Sequence, residues 1–140
     1  MNYNQVINMV LSLLREYRYG NYTFDEIKQE LGVCVNIVLA KAQLFDVSFD
    51  SDFMEFNRDL TNMEATIISY GLLMQWLSPS VYNSEMLESQ LTSKEFTSFS
   101  NANRINSAIS LYKLVSNEFY YLITIYDDKY QRALWEEEDK

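Results

Sequence analysis

The sequence predicts an all-α fold: a helical bundle of about four to five helices, with a long C-terminal helix and an acidic tail. Three observations point there. The 140 residues include only three glycines and one proline, too few for a loop-rich or all-β design. Hydrophobic residues make up 48% and aromatics 15%, enough to build a core and too many for a disordered chain. Apolar positions recur at steps of three and four along most of the chain. A chain of this length fits a single helical domain over residues 1–135, with residues 136–140 as the tail.

The first helix is expected over residues 3–18, where Val6, Ile7, Val10, Leu11, Leu14 and Tyr17 form one apolar face. Gly20 and Asn21 tolerate the left-handed backbone of a helix stop. Thr23 and Glu26 then have the spacing of a capping box, so a second helix should begin at Phe24. Gly32 is read as a break, with a third helix over residues 33–45. That segment is apolar nearly all round: Val33, Ile37, Ala40 and Leu44 on one side, Val35, Val38, Leu39 and Ala42 on the rest. Such a helix belongs at the centre of a bundle or at a subunit interface.

Residues 46–59 change character. Asp46, Asp50, Asp52, Glu55 and Asp59 face a single Arg58, with Phe49, Phe53, Met54 and Phe56 interleaved. No clear period emerges, and the segment reads as an acidic linker pinned by its aromatics, with a short edge strand over 47–49 as the alternative. A second capping box, Thr61 to Glu64, opens a helix with Met63, Ile67, Tyr70, Leu73, Met74 and Leu77 inside. Pro79 should stop it. Asn83 or Ser84 would cap a short helix holding Met86, Leu87 and Leu91, closed by Thr92 and Ser93. Phe96 and Phe99 fall in the turn that follows, and Trp76 and Tyr82 flank Pro79 to set the turn between helices.

Ser100 or Asn101 begins the last and longest helix, running to about Trp135. Ile105, Ala108, Tyr112, Val115, Phe119, Leu122 and Tyr126 form a seam of heptad type, and Leu111, Leu114, Tyr121 and Ile125 lie beside it. Two lines make an apolar arc wider than one neighbour covers, so part of this helix faces either another subunit or a second helix of its own bundle.

The missing chemistry bounds function. No histidine is present, which removes the usual general base and the commonest metal ligand. Gly20, Gly32 and Gly71 stand far apart and form no phosphate loop. The carboxylates Asp46, Asp50, Asp52 and Glu55 lack EF-hand spacing and its glycine, so no metal and no cofactor are expected. Cys34, the one cysteine, sits in an apolar run and reads as a small buried hydrophobe rather than half of a disulfide. The net charge is -9 and basic residues never cluster, so the chain should not grip nucleic acid. No apolar run approaches the roughly 18 residues of a membrane span and no signal peptide is expected, so synthesis in the cytoplasm is the default. The expectation is a non-enzymatic protein that binds other proteins.

Eleven tyrosines and two tryptophans suit either binding surfaces or a helical core. Tyr121, Ile125, Tyr130 and Trp135, followed by Glu136, Glu137 and Glu138, are the candidate protein-interaction residues. The long apolar line ends among them.

The stretch from Leu60 onward carries a resemblance over about half the chain. Leu60-Thr61-x-x-Glu64 opens a helix, followed by Gly71-Leu72-Leu73-Met74-x-Trp76-Leu77-x-Pro79, Ser93-Lys94-Glu95-Phe96 and Ser100-x-Ala102-Asn103 before the long final helix. This resembles the small head–tail connector (adaptor, head-completion or neck) proteins of tailed bacteriophages. The resemblance implies a structural virion protein that forms a homo-oligomeric ring in the neck. Its partners would be the portal protein and the next neck or tail protein. DNA would pass nearby without specific binding, and residues 130–140 would match the segment that docks on the portal. The other reading is an acidic helical inhibitor or regulator, a DNA mimic or an antitoxin-like module.

Overall fold

A computed structural model describes residues 1–16, 22–90 and 102–138; at 79–90, 102–108 and 130–138 it describes the backbone only. The described chain is an all-α bundle with one small hairpin. Helices α1 (Tyr3–Glu16), α2 (Phe24–Gly32) and α3 (Val35–Ala42) come first, then strands β1 (Phe49–Asp50) and β2 (Glu55–Phe56). Two long helices, α4 (Asn62–Gln90) and α5 (Ala102–Glu138), complete it.

α4 is the pillar, because α5, α1, α3 and α2 all pack on it. Its first half is buried on nearly every side: Ala65, Ile67, Ile68, Leu72, Leu73, Met74 and Leu77 lie in the core. Ser69 is buried too, and its hydroxyl donates to the Ala65 carbonyl one turn back at 2.7 Å, which removes the cost of burying it. α1 contributes Tyr3, Val6, Ile7, Val10, Leu11 and Leu14, the face its periodicity marks out, and α5 contributes Leu111, Val115 and Phe119.

Close packing is sharpest at Gly71. A Cβ there would stand 2.4 Å from Val38 Cγ1 and 2.8 Å from Phe119 Cε2. The bare backbone of α4 is what lets α3 and α5 approach it at one level.

The helix starts follow their caps. The Thr23 hydroxyl accepts from Glu26 N–H at 3.3 Å, and α2 begins at Phe24 as expected. At α1 a reciprocal pair of the same kind joins Asn2 and Gln5, at 2.8 and 3.0 Å, which the sequence reading passed over. α2 does end at Gly32, and α3 begins at Val35. α3 stops at Ala42 rather than near Phe45, because Gln43 adopts a left-handed backbone (φ 51°) and closes the last turn onto the Leu39 carbonyl. Tyr17, Gly20 and Asn21 lie outside the described residues.

Several expectations are corrected. Residues 46–59 hold an antiparallel hairpin, with Phe49 opposite Phe56 and Asp50 opposite Glu55. Two-residue strands are too short to show a period in sequence. Of the aromatics, Phe49 and Phe56 pin the segment and Phe53 does not: Phe49 is buried, 5.1 Å from the Tyr3 ring centroid and 4.9 Å from that of Phe56, whereas Phe53 is exposed. Arg58 does not serve the surface acids but turns to Glu64.

α4 also runs through Pro79 to Gln90 without the expected stop. A proline in mid-helix removes a single i→i−4 hydrogen bond, and the turns before it are anchored in the core. Asn83, Ser84, Met86 and Leu87 therefore lie within α4, and Trp76 and Tyr82 flank no inter-helix turn. Leu91, Thr92, Ser93, Phe96, Phe99, Ser100 and Asn101 lie outside the described residues. At the other end, α5 continues through Glu136, Glu137 and Glu138, so that part of the expected tail is helical. No described helix is long and apolar enough to cross a membrane.

Candidate functional site

The most elaborate polar arrangement sits where the hairpin, α4 and α5 meet. Thr61 and Glu64 complete their capping box in both directions: Thr61 N–H donates to Glu64 Oε1 at 2.9 Å, and Glu64 N–H donates to the Thr61 hydroxyl at 3.2 Å. Arg58 then grips the same carboxylate in a two-pronged pair, Nη1 to Oε1 at 2.9 Å and Nη2 to Oε2 at 2.7 Å. The guanidinium also donates to the carbonyls of Phe45, Asp46 and Asp59. From α5 the Tyr126 hydroxyl donates to Glu64 Oε2 at 3.0 Å and accepts the Phe45 N–H at 3.0 Å.

Glu64 is only 2% exposed. Burial alone would raise its pKa, but the Arg58 hydrogen bonds, the Thr61 amide and the Tyr126 hydroxyl outweigh that and hold it at about 2. A carboxylate fixed in its charged form by three partners cannot take up a proton near neutral pH. This cluster ties the hairpin, α4 and α5 together through one carboxylate.

Burial pushes the Tyr3 hydroxyl upward, and it donates to the Lys28 carbonyl at 2.7 Å. Cys34 is half-buried rather than enclosed; burial and the Glu30 carboxylate push its thiol up, away from the reactive thiolate. Among the described residues, no three His, Cys, Asp or Glu side chains are grouped to hold a metal ion.

The surfaces differ more from an ordinary exterior. On α5, Leu114 is 45% exposed and Tyr121 63% exposed, with Ile125 half-buried one turn beyond. These are three of the four residues in the second apolar line read from the sequence; the fourth, Leu111, is buried, while at Leu114 and Tyr121 no described residue covers the line. Tyr130, Trp135, Glu136, Glu137 and Glu138 lie on the same continuous helix, and their side chains are outside the described residues. Of the candidate interaction residues, the fold therefore brings Tyr121 and Ile125 together and aligns the others along one axis.

A second apolar strip was missed as a surface. Val33, Ile37, Ala40 and Phe45 are exposed along α3 and its two ends, whereas Val35, Val38, Ala42 and Leu44 are buried. The all-round apolar composition of this segment was the available signal, and it left the interface reading open. A third feature, Phe53 at the hairpin tip, is 75% exposed; without a hairpin to place it on, the sequence gives no sign of it. Comparison with known protein families, curated proteins and solved structures finds no match to this chain.

Proposed function

We propose that the protein is a structural assembly subunit, and specifically a connector that forms a ring in the neck of a tailed bacteriophage between portal and tail. The observation that carries the assembly part is the pair of exposed apolar strips on different elements, Leu114 with Tyr121 on α5 and Val33 with Ile37 on and beside α3. Two unlike patches on one subunit suit head-to-tail contacts, and such contacts close into rings. The connector part rests on the sequence resemblance from Leu60 onward. The net charge of -9 is compatible with a channel that DNA crosses without sticking.

The test is native mass spectrometry of the purified chain, alone and mixed with the portal protein from the same genome. Stoichiometric loading onto the portal, lost in a Leu114→Ser/Tyr121→Ser variant, supports the connector. Self-assembly without portal affinity would keep the assembly reading and remove the neck. A monomer that ignores the portal would turn attention to the acidic-inhibitor reading.

A further inference from the structure

Between α1 and α4 runs a groove of about 320 Å³, with Met9, Leu13 and Tyr70, all half-buried, as its apolar lining. Its hydroxyls are already engaged. Ser12, Thr66 and Ser69 each donate to a carbonyl one turn back in their own helix, at 3.0, 2.7 and 2.7 Å. A sugar or another polar ligand therefore finds no unused hydroxyl proton there. The volume lies near the roughly 300 Å³ floor of small-molecule sites, and suits protruding side chains better.

The groove is also without charge, against the character of the chain. Charged residues make up 22% of the sequence. None occurs in residues 2–14, and Glu64 is the sole one in residues 60–84. Glu64 is buried and paired with Arg58. Along the exposed side of α1 stand Asn4, Gln5, Asn8 and Ser12, all neutral. A basic peptide meets no carboxylate on this face, and a nucleic acid meets no cation. Copies of a protein with net charge -9 repel one another over most of their surface, so contact between them costs least across a charge-free face.

The same chain carries a matching surface. On α5, Leu114, Asn117, Tyr121 and Ile125 follow at steps of three and four and share one line of the helix. All four are neutral, and Leu114 and Tyr121 are exposed. Lys113 and Glu118 flank the line, where the polar rim of a contact belongs. We propose that this ridge of one copy seats in the α1–α4 groove of a second copy, with Leu114 and Tyr121 against Met9 and Leu13. Two anchors seven positions apart are the signature of a helix laid along an apolar groove. Ridge and groove share no residue, so the contact joins unlike surfaces, as head-to-tail assembly requires. The inference rests on the assembly part of the proposed function and supplies the receiving surface for its α5 strip.

The experiment is oxidative cross-linking of full chains in a Cys34→Ser background, alone and on the portal protein. Copies with Ser12→Cys are mixed with copies carrying Tyr121→Cys, and a control mixture pairs Ile37→Cys with Tyr121→Cys. The groove pair is expected to cross-link about tenfold more than the control. In sedimentation equilibrium, Ser12→Glu should weaken self-association about tenfold and Ser12→Ala by less than about twofold. Ser12→Glu mixed into a Tyr121→Ser chain should lose no more than the larger single change, because both act on one contact. Assembly that cross-links through Ile37, or that ignores Ser12→Glu, overturns the groove and leaves the assembly reading standing. Monomers under both conditions overturn the two together. Ser12, Ile37 and Tyr121 are exposed, and circular dichroism melts confirm that each variant is folded.

Discussion

The Tyr126 hydroxyl donates to Glu64 Oε2 at 3.0 Å across 62 residues of sequence, joining α5 to the first turn of α4. The Tyr126 hydroxyl oxygen also accepts the Phe45 N–H, so this one side chain connects three segments. Tyr126→Phe keeps the ring and removes both bonds. It should lower stability by about 1–2 kcal/mol, measured by urea denaturation.

Glu64 gives the fold a defined acid sensitivity. Its pKa falls from the ordinary 4.5 to about 2 in the folded chain. A depressed carboxylate contributes stability that is fully present above the unfolded value and lost as pH falls through the folded one. The melting temperature should therefore drop between about pH 4.5 and pH 2. In Glu64→Gln that segment of the pH profile should flatten.

Breaking the Arg58–Glu64 pair from one side leaves a buried charge without its partner. Arg58→Ala should cost about 3 kcal/mol. Arg58→Ala/Glu64→Gln should recover part of that loss, because the stranded charge is gone. A double-mutant cycle by chemical denaturation reads the difference.

Gly71 offers a cleaner steric test. Alanine is better than glycine in a helix by about 1 kcal/mol, yet its methyl would fall 2.4 Å from Val38 Cγ1 and 2.8 Å from Phe119 Cε2. Gly71→Ala should be destabilising on balance by about 1–3 kcal/mol. Gly71→Ala/Val38→Ala removes one of the two clashes, and thermal melts should show partial rescue.

The α5 flank should separate assembly from folding. Leu114→Ser/Tyr121→Ser changes two exposed side chains, so stability should move by no more than about 0.5 kcal/mol per site while assembly is lost. Truncation after Tyr130 should likewise leave the bundle folded and weaken docking. Circular dichroism and native mass spectrometry on the same samples distinguish the two effects.

Local signals in this sequence proved readable wherever one helix face or one cap decides the outcome. Val6, Ile7, Val10, Leu11 and Leu14 mark the buried side of α1 by spacing alone, and Thr61-x-x-Glu64 marks the start of α4. Pro79 misled because a local propensity was overruled by the packing of the turns before it. Residues 46–59 were opaque for a different reason: a hairpin of two-residue strands is defined by its pairing across the turn and by Tyr3, far off in sequence. Arg58 stands near Asp59 in the chain and yet answers to Glu64, since only the fold reveals which carboxylate is buried. The exposed strip at Val33 and Ile37 has the composition of core, and no pattern within one chain distinguishes the two.

The bond from Phe45 to Tyr126 spans 81 residues and ends on an amide in the loop after α3. Seating α5 on the bundle gives that N–H its Tyr126 acceptor, and lifting the helix away removes it. Its exchange rate therefore reports undocking of the long helix, a motion that leaves α5's own internal bonds intact. One backbone probe in a loop thus measures how often the 37-residue helix lifts away.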